Sequence, residues 1–330
     1  MNIRTDWTLE EIREIYNRPL MDLLFEAATV HRENNAYGEV QISSLISIKT
    51  GGCKEDCSYC PQSIKFNTDI TVHPLMQLAE VKNKALRAKE NGASRVCMGA
   101  SWREVRDNSD FDRVLEMVRE VNDMGLEVCC TLGMLTYDQA QKLKESGCFA
   151  YNHNIDTSRD YYNKIITTRN FDDRLETLDN VRKAQITVCC GGIIGLGETD
   201  EDRIQMLHTL STLKVHPDSV PINALAPVRG TALEHNKRVS VDEMVRMIAT
   251  ARILMPKSVV RLSAGRNEMS LAEQALCFMA GANSIFAGEK LLTTPNPDID
   301  EDMRMFKILG LTARAPFKDS PQPMAVENYV

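Results

Sequence analysis

Cys53, Cys57 and Cys60 stand close together in the stretch GCKEDCSYCP, spaced C-x3-C-x2-C. Three thiols are one short of the four ligands of a structural zinc site, and disulfides need pairs. Three thiolates do suit a cubane iron–sulfur cluster that leaves its fourth iron open to an outside ligand. Zinc would need a fourth ligand, and the nearest histidine, His73, is not at a zinc-like spacing. Three unrelated packing cysteines fit less well, because Lys54, Glu55, Asp56 and Ser58 make the stretch polar.

A second set of reactive side chains is scattered through segments that read as strands. Side chains alternate along a strand, so Arg95 and Cys97 share one face of Arg95-Val96-Cys97-Met98. Arg261 and Ser263 share a face between apolar neighbours, and Asn223 sits between Ile222 and Ala224. In the fourth strand Asn152, Asn154 and Asp156 oppose Tyr151, His153 and Ile155. Cys129-Cys130 and Cys189-Cys190 are doublets, and only one member of each can face the same way. Cys97, one cysteine of each doublet and Arg261 make a second candidate metal site. Composition alone favours the plainer reading, in which these are small core hydrophobes.

The elements that must position these groups alternate along the chain. Strand-like runs fall at Leu45–Lys49, Arg95–Met98, Glu127–Leu132, Ala150–Asp156, Ile186–Ile193, Ser219–Leu225, Val259–Ser263 and Asn283–Phe286. Helical patterns lie between them, with capping boxes at Thr136/Gln139 and Ser240/Glu243 and helix-ending glycines at Gly92, Gly125 and Gly147. Eight strand–helix units predict a parallel, closed (β/α)8 TIM-type barrel. An open doubly wound sheet is the alternative. A short N-terminal helical extension precedes the barrel, with one helix started by Thr8/Glu11 and another over Pro19–Arg32, both expected to cap its base. The expected division is residues 1–36 as this cap, 37–311 as the barrel and 312–330 as a polar, disordered tail. In a barrel clothed by helices the apolar strand face points outward, so the polar face lines the lumen, where it needs ligands or partners.

The 330 residues, 43% hydrophobic and 26% charged, describe an ordinary globular chain. A net charge of -7 gives no reason to expect nucleic acid or an anionic membrane as partner. The N-terminal residues do not read as a signal peptide, and no apolar run is long enough to span a bilayer. A cytoplasmic location is therefore expected, where the ten cysteines stay reduced.

The three-cysteine loop resembles the signature of the radical S-adenosylmethionine superfamily, in which the methionine moiety chelates the open iron and Tyr59 packs near the adenine. A closer resemblance is to the biotin synthase family. It runs from about Trp7 to Leu311 and rests on Gly51–Ser63, Arg95–Ala100, Tyr151–Asp156, Ile166–Arg169, Gly191–Glu198, Arg261–Arg266, Cys277–Phe286 and Leu291–Pro297. That resemblance implies a homodimer that inserts sulfur into dethiobiotin, with an electron donor such as a flavodoxin-type protein. Cys53, Cys57 and Cys60 would hold a [4Fe-4S] cluster; Cys97, Cys129, Cys189 and Arg261 would hold a [2Fe-2S] cluster. Cys130, Cys190, Cys148 and Cys277 fall outside the implied ligand set and read as packing residues. Asn154 and Asp156 would take the ribose hydroxyls of S-adenosylmethionine and Arg174 its carboxylate, with Ile193 packing against the cofactor. Asn154 and Asn223 would bind dethiobiotin. Arginine is an odd metal ligand, since its guanidinium is normally protonated, and spacing alone does not indicate that role. The competing expectations are another radical barrel, such as a hydrogenase-cluster maturase or a mutase, and a non-enzymatic iron–sulfur carrier or zinc protein.

Overall fold

The structure, a computed structural model, describes residues 3–288, 290–291, 294–295 and 299–317. Four residues of the segment Leu291–Pro297 and residues 318–330 of the expected tail lie outside them. Two helices, α1 (Leu9–Tyr16) and α2 (Leu20–Asn34), come first. The alternating part follows: β1 (Glu39–Lys49), α3 (Leu78–Glu90), β2 (Arg95–Ala100), α4 (Ser109–Asp123), β3 (Glu127–Thr131), α5 (Tyr137–Glu145) and β4 (Cys148–Asn152). Next come α6 (Arg159–Ile165), α7 (Phe171–Lys183), β5 (Thr187–Cys189), β6 (Gly192–Ile194), α8 (Asp200–Ser211), β7 (Ser219–Ala224), α9 (Val241–Leu254) and β8 (Val259–Leu262). The chain ends with α10 (Leu271–Met279), β9 (Ser284–Phe286), a hairpin of β10 (Lys290–Leu291) and β11 (Thr294–Pro295), α11 (Ile299–Leu309) and β12 (Thr312–Ala313).

Strands β1 to β9 pair in parallel, and β9 returns to β1 through Gln41↔Ser284 and Ser43↔Phe286. The ring is therefore closed, with β5 and β6 sharing one of its eight positions. The helices begin where short polar side chains can catch free amides. Thr136 and Gln139 cap α5 reciprocally, and the Glu243 carboxylate accepts from the Ser240 amide at the start of α9. Gly92, Gly125 and Gly147 end α3, α4 and α5 with positive φ, as the spacing predicts.

Alternation sorts the strand side chains into two cores. Val96, Met98, Val128, Cys130, Tyr151, Val188, Cys190, Ile222 and Leu262 belong to the large apolar layer under the helices. Cys97, Cys129, Ala150 and Phe286 form a separate small cluster inside the barrel, with Leu45 and Phe149 against it. Most of the stabilising burial lies in the outer layer, at about 1.5–3 kcal/mol for each large aliphatic side chain.

Three details depart from the sequence expectations. β1 begins at Glu39, six residues before the expected Leu45, because it is long enough to pair with β2 and with β12. β4 ends at Asn152, and Asn154 and Asp156 lie beyond it, although the ladder bonds of His153 and Ile155 carry the alternation on to the turn at Asp156. The N-terminal helices pack on the outer layer, α1 on α8 and α9 and α2 along α9, and Asn35 after α2 donates to Pro256 O at 3.0 Å, at the N-terminal end of β8. Part of the base is covered by residues expected to belong to a loose tail: β12 adds to β1, and the Phe317 amide donates to Glu127 Oε1 at 2.7 Å.

Candidate active site

The three-cysteine loop leaves the C-terminal end of β1, the end at which barrels carry their chemistry. Gly51 and Gly52, with φ of 72° and 71°, turn the chain into it. The loop then folds on itself. The Cys53 amide donates to Gln62 O at 3.0 Å, and the Ile64 amide to Cys53 O at 2.9 Å. It also docks on the segment after α6: the Ser58 amide donates to Ile165 O at 3.0 Å, and the Asp56 carboxylate accepts from the amides of Thr167 and Thr168 at 2.9 and 3.2 Å. Those two bonds and the threonine hydroxyls hold the Asp56 carboxyl below its usual range, against its partial burial.

Cys53, Cys57, Cys60, Tyr59, Asn154, Asp156, Arg174, Ile193 and Asn223 all line one cavity of about 320 Å³. The expected cluster ligands, cofactor contacts and substrate contacts are thus brought together around one space. The Tyr59 hydroxyl donates to Asp156 Oδ2 at 2.9 Å. Arg174 forms a buried ion pair with the same carboxylate and donates from Nε to the Tyr162 hydroxyl at 2.9 Å. Asp156 adopts φ 68°, unusual for a side-chain-bearing residue, and its carbonyl accepts the Ile193 amide at 2.8 Å. This crossing needs Gly192, since a Cβ there would stand 2.0 Å from Met206 Sδ and 2.7 Å from Asp156 O. Asn154 Oδ1 accepts from the Gly191 amide at 3.1 Å, and Asn223 Nδ2 donates to Gly192 O at 2.9 Å, so both side chains are braced by the break between β5 and β6.

The second set lies deeper, in the lumen. Cys97 pairs with Cys129 across β2 and β3, Cys189 faces Ser219 on β7, and Arg261 aligns with Ser284 on β9. Cys130 and Cys190 point instead into the outer apolar layer, Cys130 beside Cys148. The doublets thus resolve geometrically into one inward and one outward cysteine each. Arg261 is 1% exposed. Its Nε donates to Ser284 Oγ at 2.9 Å, its Nη2 donates to Ser43 Oγ at 3.2 Å, and its guanidinium stacks over Phe286 at 4.5 Å. Among the described residues no carboxylate is ion-paired with it, whereas the neighbouring Arg95 is neutralised by Glu127 at 2.7 Å. A hydrogen bond from Cys129, helped by Arg261 and Arg95, draws the Cys97 thiol below its usual range against the effect of burial.

Among the described residues no three His, Cys, Asp or Glu side chains converge as ligands of a single ion. Iron–sulfur clusters need no such convergence, because each thiolate takes a different corner of an extended body. The free thiols of Cys53, Cys57 and Cys60 around one cavity fit a cubane. Three inward thiols with one unneutralised guanidinium fit a smaller cluster in the lumen.

Several groups at the site were not singled out from the sequence. Glu55, read as one of the polar residues of the loop, is only 2% exposed. It lies among Arg103, Arg169 and Thr168. His153 lies beside Tyr151, as the alternation predicts, yet it borders the cavity, and its Nε2 is buried without a partner among the described residues. Burial, with Arg174 and Arg169 nearby, pushes its imidazole well below the usual range. A buried acid within a polar loop leaves no periodic signal.

Residues 47–210 match the Radical SAM superfamily, and residues 221–312 match the Biotin and Thiamin Synthesis associated domain. The chain is 63% identical to the biotin synthase of Cytophaga hutchinsonii, over 97% of this chain and 95% of that one. It is 59% identical to the mitochondrial biotin synthase of Arabidopsis thaliana, over 95% and 83%. Among solved structures, a methylornithine synthase superposes with TM-score 0.79 at 22% identity, covering 94% of both chains. The FeFe-hydrogenase maturase from Carboxydothermus hydrogenoformans superposes with TM-score 0.81 at 16% identity, covering 98% of this chain and 79% of that one. These two likenesses bear on the fold alone. A fold shared with a maturase therefore comes with a sequence that matches a different family along nearly its whole length, and the chain belongs to the biotin synthase family.

Proposed function

We propose that the chain converts dethiobiotin to biotin by radical insertion of sulfur, with the three-cysteine loop as the [4Fe-4S] site and the lumen set as the [2Fe-2S] site. The observation that carries this reading is that Cys53, Cys57 and Cys60 line one cavity beyond the C-terminal end of β1, while Cys97 and Cys129 cluster inside the barrel. When bound, the two clusters and S-adenosylmethionine supply the chemistry that side chains lack: a carbon radical able to take hydrogen from unactivated carbon, and a sulfur atom to replace it.

The chain's own residues bind, orient and enclose. Cys53, Cys57 and Cys60 would hold three irons and leave the fourth to the amino and carboxylate groups of S-adenosylmethionine. Arg174, already paired with Asp156, would take that carboxylate as a further partner, and Asp156 with Asn154 would take the ribose hydroxyls. Tyr59 and Ile193 present apolar surface to the adenine, the Tyr59 ring being fixed by its bond to Asp156. Asn154 and Asn223 would hold the ureido ring of dethiobiotin in the cavity that they line. The barrel wall keeps a reactive radical from water and from exposed side chains. The homodimer and a flavodoxin-type electron donor belong to the same proposal. No helix among the described residues is long and apolar enough to cross a membrane.

Anaerobic reconstitution followed by reductant, S-adenosylmethionine and dethiobiotin tests the reading. Formation of 5′-deoxyadenosine and biotin supports it. Deoxyadenosine without biotin would point to a different radical reaction, and the absence of both would remove the radical enzyme altogether.

A further inference from the structure

Two buried guanidinium groups face the cavity, and they are held in different ways. Arg174 is committed to Asp156 and to the Tyr162 hydroxyl. Arg169 has no such commitment. Among the described residues its Nε is buried without a hydrogen-bond partner, and the carboxylate oxygen paired with it, Glu55 Oε2, stands 3.7 Å away, too far for a hydrogen bond. Its Nη2 is directed at the Sγ of Cys57, at 3.9 Å. The side chain is 7% exposed, so water screens little of its charge.

Glu55 explains why the guanidinium stays there. Its carboxylate is almost fully buried, accepts the Thr168 hydroxyl and lies 3.2 Å from Arg103 Nη1, without hydrogen-bond alignment at Oε1. Arg103 in turn donates to Thr168 O. One acid thus ties the cysteine loop, the turn after β2 and the segment before α7, and it holds Arg169 between itself and Cys57. A buried charge that is only loosely paired is costly unless another charge completes its surroundings. A thiolate-bound cluster is such a charge.

We propose that Arg169 tunes the iron–sulfur cluster of the three-cysteine loop, placing a positive charge and an N–H donor against the Cys57 thiolate, with Glu55 as the buried counter-charge that fixes its position. The proposal rests on the reading of that loop as a cluster site. Reduction adds one negative charge to the cluster. A cation fixed beside a ligand sulfur in a dry pocket favours the reduced form, because net charge, hydrogen bonds to sulfur and solvent exposure set the potentials of such clusters. Arg169 therefore raises the potential and eases electron entry, and Glu55 moderates it.

The test is a spectroelectrochemical titration of the reconstituted protein, with iron and sulfide counted and the reduced cluster followed by electron paramagnetic resonance. Arg169→Gln is expected to take up the wild-type complement of iron and sulfide, to show a lower midpoint potential and to shift the resonance of the reduced cluster. Arg169→Lys should recover most of the potential. Glu55→Gln, which removes the negative charge, should move it the opposite way. A fully loaded Arg169→Gln protein with wild-type potential and resonance overturns the proposal. If Arg169→Gln takes up no iron, the other two variants decide: a higher potential in Glu55→Gln supports the proposal, and wild-type potentials in both overturn it. Failure of the wild-type protein itself to take up iron would sink the underlying reading instead.

Discussion

The hydroxyl of Tyr59 donates to the carboxylate of Asp156 across 2.9 Å, joining the cysteine loop at the top of β1 to the turn beyond β4. Arg174 pairs with the same carboxylate from α7. Three elements far apart in sequence thus meet on one buried acid at the mouth of the barrel, where a nucleoside and an amino-acid carboxylate would have to be told apart.

Asp156→Asn keeps the shape but removes the charge that Arg174 answers. Truncating one partner of a buried ion pair costs about 3–5 kcal/mol, and the near-isosteric amide should lose the lower part of that range. The variant is expected to unfold at lower denaturant and to bind S-adenosylmethionine at least about tenfold more weakly, since a charge-assisted bond contributes about 1.5–3 kcal/mol. Chemical denaturation and anaerobic equilibrium dialysis measure the two effects. Wild-type affinity in the folded variant would remove Asp156 from the cofactor site.

The doublets give a sharper comparison. Cys189→Ala should lose the lumen cluster, whereas Cys190→Ala, which alters only the outer apolar layer, should keep it and lose about 1 kcal/mol of stability. Iron and sulfide analysis with visible absorption distinguishes them. The reverse pattern would mean that the strand faces are misassigned.

Gly192→Ala brings a methyl group against Met206 Sδ and Asp156 O. Overpacking of this kind costs about 1–3 kcal/mol, and here it also displaces the Asp156 turn. A fall in both thermal midpoint and cofactor affinity is expected. A variant with unchanged values would show that the crossing of β6 and the turn is slack.

Stability should also fall in mild acid through His31. Burial, reinforced by Arg252 and Arg32, lowers its imidazole to about 3 in the folded chain, against about 6.5 when unfolded. The native state therefore keeps it neutral while the unfolded state binds a proton. Its contribution is complete above about pH 6.5 and is lost as pH falls toward about 3, at up to about 1.4 kcal/mol per unit. Denaturant midpoints for the wild type and His31→Gln at about pH 5 and about pH 7.5 should show a smaller acid loss in the variant. Equal losses would assign the acid sensitivity elsewhere.

Much of this architecture is legible in the sequence because its signals are local or periodic. Thr136 and Gln139 announce a helix by their spacing, and Cys97, Arg261 and Asn223 stand out as polar residues in apolar strands. The inward member of each doublet is different: spacing leaves Cys129 and Cys130 equivalent, family resemblance favours the first, and the register of β2 against β3 then places it inside. What stayed hidden depends on tertiary contact or broken regularity. Glu55 looks like loop solvation until the segment before α7 closes over it. Phe317, assigned to a loose tail by its polar neighbours, is ordered by an acid on β3 that no local pattern connects to it.

The sulfur that enters the product should come from the cluster held by the lumen thiols, and isotopic labelling reads its origin. The protein is reconstituted with heavy-isotope sulfide, freed of unbound sulfide and allowed one turnover with S-adenosylmethionine, reductant and dethiobiotin, and the biotin is weighed by mass spectrometry. Wild-type protein should yield biotin carrying the heavy sulfur, and Cys189→Ala should yield no biotin. Unlabelled biotin from the wild type, or labelled biotin from Cys189→Ala, would contradict that origin.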